Sequence, residues 1–247
     1  MGTDLPTAEL VKVAANSFLA TKISFINAMA EICEIAGGDV TMLARAIGYD
    51  PRIGNRFLQA GIGFGGGCLP KDIRAFMARA EELGAKDSLE FLRDIDAINM
   101  RARTRTVGLV ARELNGDVKS KKIAVLGGAF KPDSDDVRDS PALEIAEQLR
   151  LMGGRVHLHD PKAIDGAKKK YPEIIYSESI DEVLTGAEIV LHLTEWKVYR
   201  EIDPLHARSL TAGAIIIDGR NMLDTELWRS AGWRLIGLGR SQLGHTL

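Results

Sequence analysis

Residues 121–160 read KKIAVLGGAFKPDSDDVRDSPALEIAEQLRLMGGRVHLHD, and their order decides the fold. KKIAVLG (121–127) is a β-rich apolar run that ends in glycine. A polar loop follows, and SPALEIAEQLRLMGG (140–154) then reads as a helix, with Ser140 as N-cap and Pro141 at its first position. RVHLHD (155–160) is a second strand. Downstream, EIVLHL (188–193), AIIID (214–218) and RLIGLG (234–239) read as strands, with helical segments around 163–170, 179–186 and 199–208. Short apolar strands separated by helices predict a parallel sheet covered on both faces.

Toward the N-terminus the chain changes character near residue 117. TAELVKVAANSFLATKISFINAMAEICEIA (7–36) keeps Leu10, Val13, Ala14, Phe18, Ile23, Ile26, Met29 and Ile32 near a helical period until Gly37-Gly38 stops it. So long a helix needs a partner to cover it. Leu10, Phe18, Ile23 and Ile26 form an apolar stripe longer than the α/β half could cover, which predicts a dimer through this helix. DVTMLARAI (39–47) fits a short helix ended by Gly48, and RFLQAGIGFGGGC (56–68) a glycine-rich loop. LPKDIRAFMARAEEL (69–83) opens with Pro70 and is closed by Gly84, and SLEFLRDIDAINMRARTRTVGLVAREL (88–114) fits a second long helix.

The 247 residues are 45% hydrophobic and 27% charged, enough to bury a core. A net charge of -2, spread evenly along the chain, leaves no electrostatic footprint for nucleic acid. No apolar run approaches the ~18 residues of a membrane span. MGTDLPTAEL is not built as a signal peptide, and Cys33 and Cys68 cannot make a disulfide framework, so a reducing cytoplasm is expected. Met1-Gly2 looks like an added start.

Cys68 is the sharpest chemical candidate. It precedes Pro70 at the positive end of a helix, behind glycines that let a ligand approach the backbone, with Lys71 beside it and Asp72 one turn on. That setting suits a nucleophile, and a small apolar filler is the alternative. Cys33, inside AEICEIA, reads as core. Lys12 and Asn16 share one helix face and could hold an oxyanion or a water, or form a solvated polar stripe. In the α/β half, Gly127-Gly128 stands where a dinucleotide fold keeps its phosphate loop, and Asp160 ends the second strand as a ribose-binding acid would. The G-x-G-x-x-G fingerprint is absent, however, which argues against an NAD site there. Phe130, Lys131 and Arg138 put an aromatic and two cations at the carboxyl edge of the sheet, suited to a phosphorylated or nucleotide ligand; the alternative is a solvated loop in which DSDD (133–136) balances the cations. His157, His159, His192, His206 and His245 show no metal spacing. Trp196, Trp228 and Trp233 read as core or interface, and Lys168 to Lys170 as a solvated helix end.

AELVKVAANSFLATKISFINAMAEIC, GIGFGGGCLPKDIRAF and KIAVLGGAFKPDSDDVRDSPALEIA together closely resemble the UDP-glucose/GDP-mannose dehydrogenase family. The resemblance covers nearly the whole chain and implies an all-helical central dimerisation domain, residues 1–116, joined by a long helix to a Rossmann-like parallel α/β domain, residues 117–247. It implies that NAD is held mainly by a preceding Rossmann domain that this chain lacks, so that the chain alone is inactive. The implied reaction oxidises UDP-glucose to UDP-glucuronate with two NAD, Cys68 passing through a thiohemiacetal and a thioester. By the same resemblance Lys12 and Asn16 steady the oxyanion and a bridging water that Asp72 orders. Phe57, Leu58, Gln59, Ala60 and Gly61, with Gly65, match the loop that wraps the sugar nucleotide; this stretch departs from the Tyr- and Asn-containing form of some members. Arg52 resembles the arginine lent across the dimer. Phe130, Lys131 and Arg220 resemble uridine and phosphate contacts, and Lys71 and Arg138 resemble residues that touch NAD. Oxidation of GDP-mannose and a non-catalytic dimeric nucleotide-sugar-binding module are the alternatives.

Overall fold

A computed structural model describes Gly2 and residues 4–241; Met1 and His245 lie outside the described residues. The first half is helical. α1 (Leu5–Ala36) starts where the Asp4 side chain accepts from Thr7 N and ends at Gly37, whose φ of 81° suits glycine. α2 (Val40–Gly48) is capped by Asp39. α3 (Leu69–Glu82) carries Pro70 in its first turn. The predicted helix over 88–114 opens instead with a separate 3₁₀ turn, Lys86–Leu89, and α4 runs over Phe91–Glu113. The chain must reverse direction after α3, and the tighter turn does this with bonds from Ser88 N to Ala85 O and from Glu90 N to Asp87 O.

α1 packs on α3 and α4 over Ala20, Phe64, Ile73, Leu92 and Ile95. Its far half closes a second cluster in which Ile26, Ala30 and Cys33 meet Val40 and Leu58. The predicted outward stripe therefore needs correcting. Ile26 is fully buried and Ile23 half-buried within this chain, because α1 is apolar on two faces. The exposed face carries Leu10 and Phe18 together with Val11, Phe25, Ile32 and Ile35.

The second half alternates strand and helix: β1 (Lys122–Leu126), α5 (Pro141–Leu151), β2 (Arg155–His159), α6 (Ile164–Lys170), β3 (Ile175–Tyr176), α7 (Ile180–Leu184), β4 (Ile189–His192), α8 (Lys197–Arg200), α9 (Pro204–Leu210), β5 (Ile215–Asp218), α10 (Thr225–Ser230) and β6 (Arg234–Gly237). Among the described residues these strands make one parallel sheet in the order β3-β2-β1-β4-β5-β6. Successive side chains of β1 point to opposite faces. Ile123 and Val125 meet Leu143 and Leu149 of α5 and Val107 and Val110 of α4, so the long helix itself covers part of the sheet. Ala124 and Leu126 meet Trp196, Tyr199, Trp228 and Trp233 on the other face. The helix predicted around 199–208 is split by Asp203-Pro204 into α8 and α9, and the two-residue β3 and α10 are additions. After β6 the chain returns to the helical half, where Arg240 pairs with Asp39.

Candidate active site

Cys68 stands at the N-cap of α3, exposed, and its side chain makes no capping bond. Its carbonyl accepts from Asp72 N at 2.8 Å, so Asp72 sits one turn above it. Asp72 is where the polar face of α1 converges. Asn16 Nδ2 donates to Asp72 Oδ2 at 2.7 Å, and Lys12 Nζ lies 3.5 Å from the same oxygen. The sequence-predicted Lys12, Asn16, Asp72 and Cys68 are thus assembled, with Asp72 only 13% exposed and Lys12 open to solvent. An ammonium, an amide and a carboxylate thus meet one helical turn from the exposed Cys68.

Beside it, at the carboxyl edge of the sheet, a cleft of about 320 Å³ is lined by residues of both halves. Phe57, Gln59, Ala60, Gly61 and Gly65 line one wall, and Phe130, Lys131 and Arg220 the other. Leu58 does not join them: its side chain is buried in the α1–α2 cluster, because the stretch runs over that cluster with alternate residues turned inward. Arg52 also stands apart, 87% exposed and paired with Asp50 on its own turn. A larger groove of about 590 Å³ lies between α1, α4 and β6, and of the predicted residues only Gly61 reaches it.

The glycines of the loop are explained by what lies where a side chain would be. A Cβ at Gly66 would meet the Phe130 ring at 2.7 Å, and one at Gly67 would meet the Arg138 guanidinium at 2.6 Å. At Gly65 it would run into the Asp139 carbonyl oxygen, and at Gly61 it would come within 2.6 Å of Gly219 O. The loop was expected to admit a ligand to its backbone; at Gly66 and Gly67 it admits the other half of the protein instead.

Arg220, expected to touch uridine or phosphate, is mostly enclosed, with 14% of its side chain exposed. It donates to Leu193 O, Gly63 O and Phe130 O and pairs with Glu195 at 3.2 Å. Burial pulls its proton affinity below the ordinary value, against the Glu195 and Asp218 carboxylates. It therefore braces the cleft as well as lining it. Lys131 is exposed, with its ammonium 5.5 Å from the Phe130 ring centre. Arg138 is bound by Asp136, which holds the Arg138 charge and has its own carboxyl held below the usual range by it. Lys71, on the first turn of α3, is exposed.

Asp160 does not wait for a ribose. It is buried, and its two oxygens accept from Gly128 N, Ala129 N, Lys162 N, Ala163 N and Trp196 Nε1. The amides that would face a pyrophosphate are already taken. The described residues of this sheet thus build no dinucleotide cradle, and NAD does not fit there.

Residues 6–101 match the central domain of the UDP-glucose/GDP-mannose dehydrogenase family, and residues 124–225 match its UDP binding domain. The chain belongs to this family. It is 40% identical over 239 residues to a UDP-glucose 6-dehydrogenase of Rickettsia felis, covering 96% of this chain and 53% of that protein. It is 41% identical over 247 residues to UDP-glucose 6-dehydrogenase TuaD of Bacillus subtilis, covering 99% of this chain and 52% of that one. Among solved structures, a UDP-glucose dehydrogenase from Pyrobaculum islandicum superposes with a TM-score of 0.83 at 35% identity, over 95% of this chain and 51% of that one. The chain spans about half the length of the curated relatives it matches.

Within this family chain, several residues that sequence reading passed over hold the site together. Asn27 Oδ1 accepts from Gly61 N at 2.8 Å, and Asn99 accepts from Phe64 N and donates to Phe64 O. Arg103 donates to Phe64 O at 2.9 Å. Asp218 accepts from Arg220, Met222 and Leu223 amides and from His192 Nδ1. Asn99 and Arg103 stand four apart on one helix, the spacing that had singled out Lys12 and Asn16. A polar side chain in an apolar helical stripe, as at Asn27, is the other available signal.

Proposed function

We propose that this chain supplies the catalytic cysteine and the UDP-sugar site of a UDP-glucose 6-dehydrogenase, which oxidises the C6 alcohol of UDP-glucose to the carboxylate of UDP-glucuronate with two NAD. The observation that carries this reading is the convergence of Lys12 and Asn16 on Asp72, one turn from Cys68 and beside the cleft of Phe130 and Lys131. NAD, when bound, supplies the acceptor for both hydrides; Lys71 and Arg138 are the residues expected on its side. In this reading the Cys68 thiolate adds to the C6 aldehyde carbonyl, and the oxygen that gains the electron pair is met by Lys12 and the Asn16 amide. At the thioester stage, a water held by Asp72 adds to the carbonyl carbon. The C–S bond breaks, the carboxylate leaves and the thiol takes back a proton. The diphosphate is held by Lys131 and the base lies near Phe130. The exposed apolar face of α1 is the proposed dimer seam, with Arg52 offered to the partner's cleft.

Calorimetric titration tests the reading. UDP and UDP-glucose should bind the unmutated chain, and GDP-mannose should bind more weakly. Lys131→Ala weakens UDP by roughly ten- to a hundredfold, the loss of one charge-assisted phosphate contact. The chain assayed by itself with UDP-glucose and NAD should yield no NADH, since the described residues of its sheet build no dinucleotide cradle. No UDP binding, or UDP affinity untouched by Lys131→Ala, overturns the assignment.

A further inference from the structure

The loop that ends at Cys68 has glycine at 61, 63, 65, 66 and 67, so it has few side chains of its own to hold it. It is held from α4. Asn99 brackets Phe64 on both backbone groups, at 2.7 and 3.0 Å. One turn later Arg103, whose side chain is fully buried, donates to the same Phe64 carbonyl. The other arm of this guanidinium reaches across to the α/β half, bonding Asp139 Oδ1 at 2.8 Å and Glu144 Oε2. Asp139 has a φ of 45°, a left-handed conformation that few residues other than glycine adopt and that aspartate and asparagine tolerate best, and it directly follows Arg138. The Arg138 carbonyl accepts from Gly66 N at 2.9 Å, and the Asp139 carbonyl lies against Gly65. One buried cation therefore touches both loops whose contact defines the cleft.

The cluster is not arranged for stability alone. Arg103 Nε and Asp139 Oδ2 are both buried with no hydrogen-bond partner. Buried ion pairs of this kind are often no better than well-packed apolar residues, but they fix geometry. We propose that Arg103 is a positioning residue: it keeps the Phe64–Gly67 segment in register with the Phe130–Asp139 segment, and so sets Cys68 against Phe130 and Lys131. The importance of that register rests on the proposed function, since a sugar nucleotide gripped at its diphosphate must present C6 to the thiol. The contacts themselves do not rest on it. A misplacement of about 1 Å in such an arrangement can cost on the order of a hundredfold in rate.

Two conservative variants test this. Arg103→Lys keeps the charge but loses the planar fork that serves three acceptors at once. Asp139→Asn keeps the size and the tolerance for positive φ while removing the charge. Amide exchange at Gly66 reports the register, and exchange at Val125 in β1 reports global stability. In both variants Gly66 should exchange roughly tenfold faster with Val125 unchanged, as expected for one lost charged contact between the two segments, and the loosened register should lower UDP-glucose affinity by about tenfold. Unchanged Gly66 exchange overturns the proposal. So does Gly66 and Val125 accelerating together, which marks a merely structural role, and so does selective loosening of Gly66 with unaltered UDP-glucose affinity. If the unmutated chain binds no UDP-glucose, the proposed function falls, while the exchange comparison still decides whether Arg103 sets the register.

Discussion

Two glycine-rich turns, Gly61–Cys68 in the helical half and Gly127-Gly128 in the α/β half, use glycine for different ends. In the Gly61–Cys68 loop, the space of each missing side chain at Gly65, Gly66 and Gly67 is filled by the opposite half of the protein. In the Gly127-Gly128 turn, the amides are what count, and Asp160 of the neighbouring strand has captured them. The first turn is shaped by a neighbour and the second by a carboxylate. A run of glycines therefore does not by itself announce a ligand. What occupies the absent Cβ, and what the freed amides bond, decides whether a turn serves the protein or a bound molecule.

The largest test of this contrast is Asp160→Ala. Five donors lose their acceptor in a buried site, and a buried unsatisfied donor costs about 1–3 kcal/mol. With water relieving some of them, the loss should be about 4 kcal/mol by urea unfolding, at the upper end for a single substitution. A loss below about 1 kcal/mol would mean that the turn holds itself without the carboxylate.

Gly65→Ala comes next and breaks the other side. Its Cβ would run into the Asp139 carbonyl and lie 2.7 Å from Pro141 Cδ, both parts of a stiff backbone corner. Overpacking of this kind costs about 1–3 kcal/mol, and it should weaken UDP binding because the two walls are pushed apart. Gly128→Ala is the matched control: its Cβ would meet only the side-chain ends of Leu158 and Leu143, at 3.2 and 3.3 Å. That variant should cost under about 1 kcal/mol. If the two losses are equal, the distinction between the turns fails.

A second carboxylate extends the comparison to pH. Burial pushes the Asp218 carboxyl up, but His192 and the Leu223 and Arg220 amides outweigh it and hold it below its unfolded value of 3.8. The folded protein thus binds this proton more weakly than the unfolded chain does. The stabilisation is full above about pH 4 and is lost as pH falls through the folded value, each unit of depression being worth about 1.4 kcal/mol. Thermal melting between pH 6 and pH 3 should fall steeply at the acid end. Asp218→Asn should be less stable at pH 6 and flatter below pH 4. Parallel curves for the two proteins would assign the acid loss to other groups.

The sheet was legible because its strands are short apolar runs between helix caps, as with Ser140-Pro141. Cys68 and Asp72 were legible because one turn of a helix relates them, and Lys12 and Asn16 for the same reason. Asn27, Asn99 and Arg103 were not. Their partners are backbone groups and carboxylates 34 to 41 residues away, and no local pattern names them. The two faces of α1 illustrate a related limit: periodicity finds apolar stripes, but only the packing of α2 and the 57–61 stretch decides that Ile26 is inside and Phe18 outside. Leu58 shows the same for a matched loop, where similarity of sequence does not say which side chains turn to the cleft.

The smallest expected effect concerns a glycine that neither a neighbour nor a carboxylate explains. Gly108 lies inside α4, and a Cβ there would meet nothing within 4 Å. Glycine in a helix interior costs about 1 kcal/mol relative to alanine, through backbone freedom lost on folding. Gly108→Ala should therefore stabilise the protein by up to about 1 kcal/mol and raise its melting temperature by about 2–4 °C, the usual conversion at this chain length. UDP affinity should not change, because Gly108 lines the groove between α1, α4 and β6 and not the cleft of Phe130 and Lys131. The outcome separates two kinds of glycine in one chain. A gain in stability places Gly108 apart from Gly65, whose missing side chain is demanded by a packed neighbour. A loss would mean that the wall of that groove is itself under packing constraint, and the division between glycines that serve contact and glycines that do not would have to be redrawn.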